Sequence, residues 1–138
     1  MPAKDIFHEA VRAALEKEAW TITNDPLFLK LGRDKAYVDF GAEKLLTAHK
    51  GQRKIAVEVK SFVGASEMHD LHEALGQYLV YQTMLEQTEP DRKLYLAVSE
   101  EVFERIFTRD VGASLIEKRN LTMIVFDDEA EVIIRWIL

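Results

Sequence analysis

Residues 54–62, Lys-Ile-Ala-Val-Glu-Val-Lys-Ser-Phe, constrain this chain more than any other stretch. Ile55, Val57 and Val59 alternate with Ala56, Glu58 and Lys60. Successive strand side chains point to opposite faces. A strand here therefore has one wholly β-branched face, and another with Glu58 and Lys60 side by side. A carboxylate and an ammonium in so apolar a strand have two readings. Either they pair on a solvated sheet face, an arrangement worth roughly a few tenths of a kcal/mol, or they hold a metal ion and a water molecule.

The rest of the chain supplies elements for an α/β domain. Asp5 is a candidate N-cap, and Phe7, Ala10, Val11, Ala14 and Leu15 recur at helical spacing, so 5–19 is expected to be an amphipathic helix. His8 falls at the edge of its apolar face and reads most simply as a partly exposed helix histidine. Residues 20–30 read as a strand broken near a sheet edge by Asn24-Asp25-Pro26, because proline cannot donate to a ladder. Gly32 to Lys35 is a polar turn. Ala36 to Phe40 alternates again and places Asp39 inside a strand, where Asp is depleted. Leu45, Leu46 and Ala48 continue as a strand or short helix, before a polar turn at 49–53.

Residues 66–86 predict a second helix, N-capped by Ser66, with an apolar stripe of Met68, Leu71, Leu75, Tyr78, Leu79 and Leu85. His69, Glu73, Gln77 and Tyr81 form a ladder on another face. Lys93 to Ser99 is nearly all apolar, as in a buried parallel strand. Short helices are expected at 102–107 and 115–119, and strands at 121–127 and 131–137 joined by a turn at 127–130. The helix at 66–86 is long enough to cross over to a parallel neighbour at 93–99, while the first three strands suit an antiparallel meander. The expectation is one domain, 1–138, with a mixed sheet flanked by helices.

Composition narrows the function. The chain has 138 residues, 48% of them apolar, enough for one core. It has no cysteine, which excludes a disulfide framework and a thiolate metal site and fits a cytoplasmic location. No apolar stretch follows Met1 to Asp5, so no signal peptide is expected. No window approaches the roughly 18 apolar residues of a membrane span. The net charge of −6 argues against a broad basic surface for nucleic acid. It leaves a local basic patch, a dimer cleft or a partner's contribution.

Asp39 and Glu58 lie on strands separated by one short excursion, so they are expected to be sheet neighbours. Two converging carboxylates suit a hard cation such as Mg²⁺ or Mn²⁺. Such an ion polarises a phosphate and binds the attacking water, with Lys60 beside it to orient the water or stabilise developing charge. His69, His72 and Glu73 mimic a zinc spacing without a third matched ligand. Trp20 and Trp136 are most simply core or interface residues.

The order Asp39, then Glu58-Val59-Lys60, resembles the PD-(D/E)XK nuclease superfamily, and Gln77-x-x-x-Tyr81 resembles an element found in some of its branches. More specifically, the chain is similar end to end to the XisH family, the cyanobacterial fdxN element excision controlling factors. The segments that carry this are Asp5-Ile-Phe-His-Glu-Ala-Val-Arg-Ala-Ala-Leu15, Val38-Asp-Phe-Gly-Ala-Glu43, Ile55-Ala-Val-Glu-Val-Lys-Ser-Phe62 and Ala74-Leu-Gly-Gln-Tyr78. The resemblance implies a restriction-endonuclease-like sheet and a role in programmed excision of a DNA element in differentiating cells. It implies work beside a site-specific recombinase and the companion protein XisI, and catalytic use of Asp39, Glu58 and Lys60. It also implies a carboxylate on the first helix, where this chain has His8. Gln77 and Tyr81 are expected to brace the central strand or touch the DNA backbone. A homodimer is expected from the need for two active sites on a duplex, with Val132 to Leu138 as interface; that segment also reads as a plain buried strand. A non-catalytic docking or DNA-binding module is one alternative, and an RNA nuclease or another phosphodiesterase is a second.

Overall fold

A computed structural model describes residues 4–47 and 51–138. Helix α1 spans His8–Lys17. Strands β1 (Thr21–Asn24), β2 (Leu27–Leu31), β3 (Asp34–Val38), β4 (Phe40–Thr47) and β5 (Gly51–Val59) follow, then helix α2 (Glu67–Thr88) and β6 (Arg92–Ser99). A short helix α3 (Glu100–Val102) runs on as a π-helical turn, Phe103–Phe107. Helix α4 (Asp110–Arg119), β7 (Met123–Asp127) and β8 (Val132–Ile137) complete the chain. Among the described residues no helix is long and apolar enough to cross a membrane.

Six strands form a mixed sheet in the order β1-β4-β5-β6-β7-β8. β4 and β5 are antiparallel, and α2 crosses over to make β6 parallel to β5, with Glu58 opposite Leu96. β7 is parallel to β6, and β8 turns back antiparallel. The central strands are buried on both faces. Ala56, Leu96 and Val98 pack beneath α2, while Ile55, Val57, Val59 and Tyr95 pack with Val11 and Leu15 of α1. Burying each large apolar side chain contributes about 1.5–3 kcal/mol. Glu58 is thus on the α2 face and 9% exposed, so it does not sit on a solvated sheet face.

Several expectations are corrected. The first strands are not one meander: β2 and β3 leave the main sheet as a separate hairpin, turning at Gly32-Arg33 with Gly32 at φ +60°. The proline break at Pro26 marks where the chain departs. Asp39 is consequently not inside a strand. It is the single residue between β3, which pairs with β2, and β4, which pairs with β5. Helix α1 starts later than Asp5, with Phe7 at its cap position; Asp5 instead braces the preceding turn by accepting the Phe7 N–H at 2.9 Å. Helix α2 has the expected Ser66 cap, whose hydroxyl accepts from the His69 N–H. Met68 and Leu79 of its stripe are exposed, because the helix buries only Leu71, Ala74, Tyr78, Met84 and Leu85. Ala48 of the expected strand or short helix and residues 49 and 50 of the expected turn lie outside the described residues, and Gly51 to Arg53 already belong to β5. The segment at 132–138 is not a plain buried strand: β8 is the sheet edge, and Val132, Ile134 and Leu138 are exposed. Trp20 and Trp136 pack against each other at 5.8 Å, Trp20 buried in the core.

Candidate functional site

The site grows from a gap in hydrogen bonding. The β4 ladder begins at Phe40 opposite Val57, so the end of β5 has no ladder partner on that side. Asp39 fills the gap in both directions. Its backbone N–H donates to Glu58 Oε1 at 3.1 Å, and its Oδ2 accepts the Val59 N–H at 2.7 Å. The two acids are thereby locked together where the chain passes between sheets.

Their shared burial is electrostatically unfavourable. Desolvation pushes the Glu58 carboxyl up to about 9, and the charge of Asp39 adds to the shift. Burial also raises Asp39, against the Val59 N–H, which favours its ionised form. A buried pair of carboxyls resists holding two negative charges unless a cation or a proton joins them.

Lys60 does not pair with Glu58. Its ammonium binds Glu73 Oε1 on α2 and lies 3.5 Å from Gln77 Oε1. Lys60 holds Glu73 below its ordinary pKa. Tyr81, one turn beyond Gln77, is half-buried, and its phenol is pushed up to about 12 by burial and by Glu58, Asp39 and Glu73. Three members of the helical ladder expected from the sequence, Glu73, Gln77 and Tyr81, therefore face the acids, while the fourth, His69, is exposed. One cleft of about 220 Å³ joins Asp39, Glu58, Lys60, Gln77 and Tyr81. In it the lysines Lys4 and Lys60 face four carboxyl groups, Asp5, Asp39, Glu58 and Glu73.

His8 is 3% exposed rather than partly exposed. The fold turns it inward to stack on Phe40 at 4.2 Å between ring centroids. Its Nε2 is 2.8 Å from Asp25 Oδ1, and Arg12 binds the other Asp25 oxygen. Burial raises the Asp25 carboxyl, but Arg12 and His8 outweigh it and hold the group below its ordinary value. An ionised Asp25 only accepts, so the Nε2 proton lies on the histidine. His8 Nδ1 then faces Asp39 Oδ1 at 3.8 Å and has no hydrogen-bond partner.

Sequence reasoning missed Asp25, Asp5 and the pairing of Glu73. Asp25 carried a signal, an acid beside proline in a broken strand. Asp5, expected as a helix cap, accepts through its Oδ2 the Ser61 N–H at 3.0 Å, tying the N-terminal turn to the exit of β5. His69 and His72 are exposed on α2, and among the described residues no group of three or more His, Asp or Glu stands in a metal-holding arrangement. A cation at this site would rest on two protein carboxyls, Asp39 and Glu58.

The whole chain has relatives of known structure. A crystal structure of an XisH family protein from Nostoc punctiforme PCC 73102 is 40% identical, covers 97% of this chain and 100% of its own, and superposes with a TM-score of 0.88. The crystal structure of a fdxN element excision controlling factor protein from Anabaena variabilis is 41% identical, covers 98% and 100%, and also gives 0.88. No match is found among curated proteins. The family model for XisH protein matches residues 1–134. With the fold shared end to end and the family pattern running through nearly every residue, this chain belongs to the XisH family.

Proposed function

We propose that this protein is an accessory factor in the programmed excision of a DNA element, with a divalent-cation site for phosphodiester cleavage built on Asp39 and Glu58. The observation that carries the reading is the reciprocal lock between these acids beside Lys60. A buried carboxyl beside a half-buried one, each repelling the other, forms a donor set suited to Mg²⁺ or Mn²⁺, which prefer oxygen ligands and complete their shells with water and phosphate. When bound, the cation supplies Lewis-acid polarisation of the phosphate and a more acidic water. Asp39 and Glu58 hold it, Lys60 offers an ammonium to the phosphate oxygens, and Gln77 orients Lys60. Tyr81 walls the cleft, and its raised pKa keeps it a neutral donor. His8, held by Asp25, stands 3.8 Å from Asp39 and walls that side of the site. The arrangement resembles that of PD-(D/E)XK nucleases, which supports the assignment. Partners in this reading are DNA, a companion of the XisI type, a site-specific recombinase and a second copy of the chain.

A second reading rests on the Lys60–Glu73 pair and on the acidic lining of the cleft. Both oppose entry of a polyanion, and both suit a nuclease-like scaffold that docks other proteins without cutting. One assay separates the two: cleavage of branched and linear DNA with Mg²⁺ or Mn²⁺ by wild type, Glu58→Ala and Lys60→Ala. Cleavage lost in both variants supports the catalytic reading, and equal traces in all three proteins sink it.

A further inference from the structure

The sheet face beneath α1 carries a feature separate from the cleft. Lys44 on β4, Arg53 on β5 and Lys93 on β6 each lie two residues from a member of the core on that face, Ala42, Ile55 and Tyr95, so all three point to the same side. Lys44 and Arg53 are directly opposite in the β4–β5 ladder, and Lys93 stands opposite Ile55 on the next strand. The Lys44 ammonium is 5.7 Å from the centre of the Trp20 ring, and the Arg53 guanidinium is 5.8 Å from the same ring. Lys93 sits 5.7 Å over Tyr95, whose hydroxyl accepts a 3.0 Å hydrogen bond from Arg53.

Two facts set this row apart. Like charges directly opposed in a ladder are destabilising, yet among the described residues none of the three is within ion-pair distance of a carboxylate. Their sequence neighbours on the other face behave differently: Lys54 meets Asp91, and Arg92 meets Glu89 and Glu43. Capping the edge of the core with lysine and arginine stems explains the ring contacts. It does not explain a cation row without counter-charges in a chain of net charge −6.

We propose that Lys44, Arg53 and Lys93 bind the phosphate backbone of a nucleic acid. The row crosses two strand spacings, about 10 Å, a span of about three steps along a nucleic-acid strand at 3.4 Å each. The aromatic rings beneath hold the cations in place, so little side-chain freedom is lost on binding. The surface is independent of the cleavage reading, because Glu58 at the far end of β5 and Lys60 just beyond it lie on the opposite face. A nucleic acid thus engages this face, away from the acidic cleft. An acidic protein segment is the competing occupant.

The test is fluorescence anisotropy of labelled DNA titrated with the full chain in EDTA, which removes any cation held by Asp39 and Glu58. Salt is varied between about 50 and 200 mM. The expected slope of log affinity against log salt is about −2.7, or 0.9 for each of three phosphates. The triple variant Lys44→Gln/Arg53→Gln/Lys93→Gln should lose at least about tenfold in affinity and most of the slope. Arg53→Lys keeps the charge and should keep the slope even though the Tyr95 bond is lost. Circular dichroism checks folding; Lys44→Gln and Lys93→Gln, which among the described residues break no hydrogen bond, each lower the slope by about 0.9 if the triple variant is unstable. Unchanged binding in these variants, absent DNA binding by the wild type, or tighter binding of poly-glutamate than of DNA each overturns the proposal.

Discussion

Asp39 and Glu58 hold one another through the backbone, the N–H of the first on the carboxyl of the second and the carboxyl of the first on the N–H of Val59. The lock brings two acids together in a buried place and makes them sensitive to protons. With its pKa raised from 4.5 to about 9, Glu58 keeps a proton in the folded protein that the unfolded chain has already released. The folded state binds more protons across that window, so stability falls as pH rises through it and is unaffected by this group below about 4.5. The loss is up to about 1.4 kcal/mol per pH unit. Urea unfolding in EDTA from pH 5 to pH 9 should show this decline in the wild type and a flatter profile in Glu58→Gln. Added Mn²⁺ should restore stability at high pH in the wild type alone, by about 2.7 kcal/mol at one hundred times its dissociation constant.

Glu73 holds the ammonium of Lys60 and adds a negative charge to the cleft. Glu73→Gln removes that charge and leaves a side chain of equal size. A partly exposed pair of this kind is worth about 0.2–1 kcal/mol. If the catalytic reading holds, the variant should cleave DNA up to about fivefold faster at low salt. An unchanged rate would mean that Lys60 does not meet the phosphate.

Asp25 braces His8 with help from Arg12. Asp25→Asn keeps the shape but weakens both bonds, leaving buried polar atoms poorly matched. The expected cost is about 1–3 kcal/mol in urea unfolding. Arg12→Gln, at a partly exposed position, should cost less. A larger loss from Arg12→Gln would show that the arginine, not the histidine, is the main partner of Asp25.

Gly112 lies where α4 meets the π-helical turn. A Cβ there would stand 2.3 Å from the Ile106 carbonyl oxygen and 2.6 Å from the Phe107 Cα, both backbone atoms that cannot swing aside. Gly112→Ala should destabilise by more than about 3 kcal/mol, although alanine favours helices. Gly76→Ala on α2, with nothing within 4 Å, should be neutral or stabilising.

The sequence was most informative where chemistry follows local periodicity. Alternation put Glu58, at the end of β5, and Lys60, just beyond it, on one side, and four-residue spacing put Glu73, Gln77 and Tyr81 on one face of α2. The crossover to a parallel β6 followed from the length of that helix. Relationships between distant segments were not legible. Nothing near Asp39 announces that β3 pairs away from the main sheet, because β3 alternates as a strand of either sheet does. Nothing near His8 announces that Asp25, seventeen residues on, will turn it inward. Glu58 and Lys60 are two residues apart, the lysine just past the end of β5, yet α2 divides them by offering Glu73 to the lysine. Met68 and Leu79 matched the helical stripe, yet both are exposed in the fold.

The single residue between the two sheets has a consequence for how the chain tolerates length changes. Adding or removing residues at the Gly32-Arg33 tip alters the hairpin's reach without disturbing the carboxyl pair. One residue added or deleted between Val38 and Phe40 reverses the side-chain alternation and sends the acid to the wrong side. The hairpin is therefore free to diverge at its tip, while its root at Asp39 is fixed in length.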